Sequence, residues 1–337
     1  MKRQGGLFGR ISRFENLLSA HDRAARGKRD RTSVARFEFN LERELLSLQD
    51  DLASGSYRPG TFFTFEVRDP KRRAICAAPF RDRVVHHALC AVLEPHFERR
   101  AISDSYACRQ GKGTHAAIER TRYFAHCYKY FLKCDVRKFF ASIDHAVLRT
   151  LLRRLFKEND LLDLLDRIIA HAPPDAATGK GLPIGNLTSQ HFANLYLGEL
   201  DHYLKEQRRV KGYLRYMDDF LLFADDKPTL HLLLADIRHF LAEHLCLVLK
   251  EEATLLMPVT EGTPFLGFRI YPGLIRLNQR TRQRFRSKVL ALGHRHAQGL
   301  VDHANLSATA ASLYAHVAHA DSYRLRCRVA SVNMIDG

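Results

Sequence analysis

Residues 213–224 read YLRYMDDFLLFA, two apolar runs hinged on a pair of adjacent aspartates. Apolar runs of this length on either side of a short polar turn form a hairpin. Here the turn carries two negative charges, Asp218 and Asp219. Carboxylates set between hydrophobic strands need a counter-charge, because a buried ion without one is costly. A divalent cation supplies it, and hard cations such as Mg²⁺ take carboxylate and phosphate oxygens together. Two such ions about 3.5–4 Å apart clamp the attacking and leaving oxygens of an in-line phosphoryl displacement. A third carboxylate has to bridge them. Residues 129–134 form another short apolar strand, and Asp135 at its end is placed for that role.

The rest of the composition narrows the partner. The 337 residues include 53 Lys and Arg against 37 Asp and Glu, a formal net charge of +16. Such an excess suits a polyanion, either nucleic acid or an anionic membrane surface. No run of about 18 apolar residues is present and the basic start has no signal-peptide core, so a membrane role and secretion are not expected. Seven scattered cysteines without a CxxC pair read as reduced thiols, and the expected location is the cytoplasm. Neither the cysteines nor the 18 histidines have zinc-site spacing.

Along the chain, helices are expected over 37–54, 80–98, 114–126, 145–171 and 186–208, and from 278 onward. Strands are expected over 61–67, 73–78, 129–134 and 264–271, besides the 213–224 hairpin. Residues 61–78 read as a hairpin with a basic tip at Lys71, Arg72 and Arg73, after a turn at Asp69–Pro70. Residues 1–36 are strongly basic and read as a solvated segment or a nucleic-acid arm. Strands and helices do not alternate regularly. The fold class is therefore α+β with an antiparallel sheet, not a doubly wound or barrel fold.

The chain also carries ordered blocks that resemble reverse transcriptases. YMDD (216–219) resembles their catalytic hairpin. PKRRAICAAPFRDRVVHHAL (70–89) and YACRQGKGTHAAI (106–118) resemble two fingers blocks. FLKCDVRKFFASID (131–144) resembles the first palm strand, GLPIGNLTSQHFANLYL (181–197) the block beside template and nucleotide, and FLGF (265–268) the block near the primer end. The resemblance spans about residues 60–270 and rests on six blocks in order. IGNLTSQ (184–190) is similar to reverse transcriptases of diversity-generating retroelements, in which a template RNA is copied with errors at adenines and the cDNA rewrites a variable gene.

The resemblance implies a right-hand polymerase. Its parts are a basic helical extension (1–54), fingers (55–128), a first palm part (129–145), a fingers/palm insertion (146–183), a second palm part (184–273) and a helical thumb (274–337). It implies that Asp135, Asp218 and Asp219, with the backbone carbonyl of Val136, bind two Mg²⁺ ions, for which Mn²⁺ substitutes. Phe140 becomes the steric gate against a 2′-hydroxyl. Lys71, Arg73, Arg109 and Ile184 become dNTP contacts. Lys112, Gln190, Tyr216, Met217, Phe265, Leu266, Gly267, Arg282 and Arg286 become template and primer contacts. Ile184 stands where most relatives carry Gln, and an apolar side chain there removes a polar constraint on base-pair geometry. The implied partners are template RNA, the primer–template duplex, dNTPs and a small basic helical accessory protein that forms a pentameric barrel. The alternatives are a defence-associated or group II intron-like reverse transcriptase, another palm nucleotidyltransferase, and a non-catalytic RNA-binding scaffold.

Overall fold

The structure, a computed structural model, describes residues 3–68, 72–173 and 176–335. The chain opens with α1 (Phe8–Ile11), α2 (Phe14–Ala25), α3 (Thr32–Phe39) and α4 (Leu41–Ala53). The 37–54 helix is thus two helices, because Asn40 departs from helical geometry at φ −122° and ψ 36°. Gly55, left-handed at φ 70°, stops α4. Although basic, this segment is not a solvated arm. Leu7, Ile11, Leu17, Ala20 and Ala24 are buried, and the arginines sit on the outer side.

A two-stranded ribbon follows, β1 (Phe63–Arg68) and β2 (Arg72–Ala77), antiparallel as expected. The Asp69–Pro70 turn and Lys71 lie outside the described residues. Next come α5 (Phe80–Arg100), α6 (Thr114–Cys127), β3 (Tyr130–Asp135), α7 (Phe139–Ser142), α8 (His145–Leu155), α9 (Asn159–Ala170) and α10 (Leu187–His202). The expected 145–171 helix is broken at Phe156, which turns extended and buries its ring. Asp144 caps α8 by accepting from the amides of Ala146 and Val147.

The second half holds β4 (Gly212–Tyr216), β5 (Asp219–Ala224), α11 (Lys227–Leu245), β6 (Leu255–Pro258), β7 (Thr263–Phe265), β8 (Phe268–Ile270) and β9 (Ile275–Leu277). The helices α12 (Gln279–Ala297), α13 (His303–Ala318) and α14 (Tyr323–Ile335) complete it. Residues 264–271 are not one strand. Leu266 and Gly267 both adopt left-handed φ, 48° and 89°, and fold the segment into a tight hairpin with Phe265 opposite Phe268.

The central sheet has strand order β4-β5-β3-β6, with every neighbour antiparallel. Side chains alternate between its faces. Leu132, Cys134, Tyr213, Phe220 and Leu222 join a large core with α1–α5 and α8–α11. Phe131, Leu214, Leu221 and Phe223 join a second core with α6, the β7–β9 sheet and α12. Burial on both faces is why these strands read as continuous apolar runs. On the second face, Lys133 and Asp135 continue the row begun by Phe131, and Asp219 continues the row of Leu221 and Phe223.

Candidate active site

Strand register brings the first two carboxylates together. Asp135 is directly opposite Asp219 in the β3–β5 ladder, and Tyr216 is opposite Asp219 on the other side. Directly opposed residues in such a ladder stand about 4.5–5.5 Å apart at Cβ. Asp219 is therefore the first residue of β5 and not part of the turn. The turn is Met217–Asp218, made tight by Met217 at φ 56°. A non-glycine residue in that region costs about 1–2 kcal/mol and needs support. Arg215 supplies it by donating from Nη1 to the Met217 carbonyl at 2.9 Å.

Arg215 is itself buried, with 1% of its side chain exposed, and so is its partner Asp201. Its Nε and Nη2 donate to the two Asp201 oxygens at 2.7 and 2.6 Å, and Nη1 donates to Asn194 Oδ1 at 3.1 Å. The Tyr213 hydroxyl donates to Asp201 at 2.6 Å. Burial, then the Asp201 charge, pushes the Tyr213 phenol far above its usual range. Burial opposes the Arg215 charge, but Asp201 more than offsets it and the guanidinium stays ionised. This network lies on the face of the sheet opposite to the carboxylates and braces the hairpin from behind.

On the carboxylate face, Lys133 donates from Nζ to Asp219 Oδ2 at 3.0 Å and to the Pro264 carbonyl at 3.1 Å. Asp219 Oδ1 is buried and has no hydrogen-bond partner. Burial lifts the Asp219 carboxyl to about 6 against the pull of the Lys133 ammonium, and the Asp135 and Asp218 carboxylates push it further up. A carboxylate with an orphaned buried oxygen, facing another carboxylate, fits a hard divalent cation. The side chains as they stand are not gathered into a cage, and among the described residues no three His, Cys, Asp or Glu side chains are.

The other expected residues fall around this centre. Val136 is buried beside the carboxylates and bridges to Leu249. Phe140 is half-buried on α7, edge-on to the fully packed Phe139 at 5.6 Å, and its carbonyl accepts from Leu182. Ile184 is half-buried, and its carbonyl accepts from the Cys76 amide, tying the fingers ribbon to the 181–190 block. Arg73 is exposed on that ribbon, while Lys71 lies outside the described residues. The Tyr216 hydroxyl accepts from Thr114 at 3.2 Å. Leu266 and Gly267 form the tip of the β7–β8 hairpin, and the buried Phe265 leads into it. Arg282 and Arg286 are exposed on α12, while Phe285 and Val289 are buried as their spacing predicts. Gln190 accepts from Cys108 Sγ at 3.3 Å, and Lys112 donates to the Ser103 carbonyl at 2.9 Å.

Arg109 has partners of its own within the protein. Its Nε donates to both Glu98 oxygens at 3.0 Å, and its Nη1 donates to the carbonyls of Ile102 and Ser105 at 2.6 and 2.7 Å. Most of the guanidinium fork is thereby engaged in holding the loop between α5 and α6. Sequence reasoning missed Lys133, Arg215 and Asp201. The signal for the first two was a cation inside an otherwise apolar strand.

Comparison with known proteins agrees with this geometry. Residues 67–270 match the family described as reverse transcriptase (RNA-dependent DNA polymerase). Protein YkfC of Escherichia coli is 25% identical over 284 residues, covering 72% of this chain and 74% of that one. Group II intron-encoded protein LtrA of Lactococcus lactis is 21% identical over 326 residues, covering 76% of this chain and 54% of that one. The structure of telomerase from Candida albicans with a fragment of telomeric RNA shares the fold at a TM-score of 0.50 and 11% identity. That match covers 69% of this chain and 50% of the telomerase chain. This chain therefore spans only about half the length of LtrA and of that telomerase. The architecture is the right-hand polymerase fold, α+β with an antiparallel central sheet. No helix among the described residues is long and apolar enough to cross a membrane.

Proposed function

The chain belongs to the reverse transcriptase family of RNA-dependent DNA polymerases, and from that premise we propose that it copies an RNA template into error-prone cDNA for a diversity-generating retroelement. The observation that carries the polymerase reading is the Asp135–Asp219 pair across two hydrogen-bonded strands, with Asp218 on the adjoining turn. Asp135, Asp218 and Asp219 hold two Mg²⁺ or Mn²⁺ ions, with the Val136 carbonyl as a further ligand. Ions held there would supply the charge that makes a primer 3′-hydroxyl acidic and offsets the triphosphate and leaving pyrophosphate.

The chain's own residues do the positioning. Phe140 fills the space below the sugar and excludes a 2′-hydroxyl. Arg73, on the fingers ribbon, receives the triphosphate together with Lys71. Tyr216, Met217 and the 265–267 hairpin seat the primer end. Gln190 and Lys112 contact the template. Arg282 and Arg286 take duplex phosphates, so binding weakens with salt.

Ile184 supports the error-prone reading. Its side chain packs but cannot hydrogen-bond, so a distorted pair leaves no buried polar group unsatisfied and incurs little penalty. The same reading brings a small basic helical accessory protein as partner and a cytoplasmic location. A second reading, an intron-type enzyme, is favoured by the likeness to a group II intron-encoded protein. Primer extension on an adenine-containing RNA, with sequencing of the cDNA, separates them. Errors concentrated opposite adenines support the retroelement, and accurate copying supports the intron type.

A further inference from the structure

Lys133 has no part in the function proposed above, yet it touches the residue at the centre of it. It lies two positions before Asp135 on β3, so the two side chains leave the same face of the sheet. Its ammonium reaches diagonally across to Asp219 Oδ2 at 3.0 Å and also donates to the Pro264 carbonyl at 3.1 Å. Pro264 leads directly into the Phe265–Leu266–Gly267 hairpin, and the ammonium lies 6.0 Å from the Phe265 ring centre.

We propose that Lys133 is a resident counter-cation that holds Asp219 until divalent ions arrive, is displaced from it when they bind, and thereby sets the cation concentration at which the site fills. This rests on the metal-binding reading of the three aspartates. Three features support it. A cluster of carboxylates in a partly buried site needs positive charge in the absence of metal, and Lys133 provides it from within the chain. The hold is incomplete, because the ammonium takes one Asp219 oxygen and leaves Oδ1 without a partner. Asp219 is thus paired through one oxygen only, and its other oxygen is buried with its charge unanswered. The residue is also a lysine and not an arginine. A compact charge on a flexible four-carbon stem can withdraw, whereas a guanidinium fork would lock a carboxylate in two places. The Pro264 carbonyl keeps the displaced ammonium nearby, which links ion binding to the hairpin expected to seat the primer.

The test is a Mn²⁺ titration of the full chain, with free ion read by electron paramagnetic resonance in the absence of RNA and nucleotide. It uses wild type, Lys133→Met, Lys133→Gln, Lys133→Arg and Asp219→Asn, each checked for a cooperative thermal melt. Removing a unit charge this close to the ligand, after solvent screening, tightens Mn²⁺ binding about tenfold in Lys133→Met and Lys133→Gln. Lys133→Arg binds no tighter than wild type, and Asp219→Asn binds more weakly. Unchanged or weaker binding in both neutral variants, alongside a loss in Asp219→Asn, overturns the role of Lys133 while leaving the metal site standing. Binding that no substitution alters, Asp219→Asn included, overturns the metal reading and this inference with it.

Discussion

Replacing Arg215 by Met tests whether the catalytic hairpin is braced from behind. The substitution keeps an unbranched apolar stem and removes the guanidinium and its charge. It leaves the Asp201 carboxylate, 1% exposed, with the Tyr213 hydroxyl but no counter-ion. Breaking a buried ion pair on one side costs about 3–5 kcal/mol. At roughly 2 °C per kcal/mol for a chain of this size, the melting temperature falls by about 6–10 °C. Adding Asp201→Leu removes the stranded charge, and the double variant recovers most of that loss, because a well-packed apolar replacement of a buried pair is often close to neutral. Activity follows a different order. Both variants lack the hydrogen bond to the Met217 carbonyl, so the left-handed turn that carries Asp218 loses its support in each. Calorimetry gives the stabilities, and primer extension well below the melting transition gives the rates. The expected result is a double variant with restored stability and persistently low turnover. A single variant destabilised by less than about 1 kcal/mol, or a double variant no more stable than the single, would refute the reasoning.

Three further outcomes follow from the site. Phe140→Ala should raise the ratio of ribonucleotide to deoxyribonucleotide incorporation by about 10-fold or more, and an unchanged ratio in single-nucleotide extension counts against the gate. Ile184→Gln should lower misincorporation opposite template adenines in sequenced cDNA, and an unaltered error rate removes Ile184 from the account of fidelity. The pH dependence has a definite sign. Asp219 titrates near 6 in the folded chain, above the ordinary carboxylate value, so the native state binds its proton more tightly than the unfolded state does. That contribution to stability is complete below about pH 4 and is lost as the pH rises through about 6. In metal-free buffer Asp219→Asn should therefore gain about 1–3 kcal/mol on wild type between pH 4 and pH 7.5, and a stability difference that does not vary with pH contradicts it.

The parts of the site legible in sequence are those where burial writes itself into composition. β3, β4 and β5 are covered on both faces, so each reads as an apolar run and the aspartates at their ends stand out. The position of the turn was less legible. The pattern puts both aspartates at the tip, but the left-handed residue is Met217, and this shifts Asp219 into the ladder opposite Asp135. A similar effect hides the β7–β8 hairpin. Its turn, Leu266–Gly267, is flanked by phenylalanines and reads as strand, although the glycine was a signal of the bend. Charged residues were legible only as charge. Arg109 reads as a phosphate ligand, and nothing in the pattern announces its ion pair with Glu98, 11 positions away. Arg215 and Asp201 are 14 positions apart on different elements, and only the packing of α10 against the sheet brings them together. The period-two rule does place Lys133 on the face of Asp135, and the general basic excess obscured it.

The central claim is that the three aspartates form the polymerase centre. The most direct measurement is primer extension by purified Asp218→Asn beside wild type, on an RNA template with Mg²⁺ and dNTPs, with folding and RNA affinity measured on the same samples. Wild type should extend the primer, and the variant should melt and bind RNA as wild type does while incorporating no nucleotide. Extension at the wild-type rate by Asp218→Asn would contradict the account.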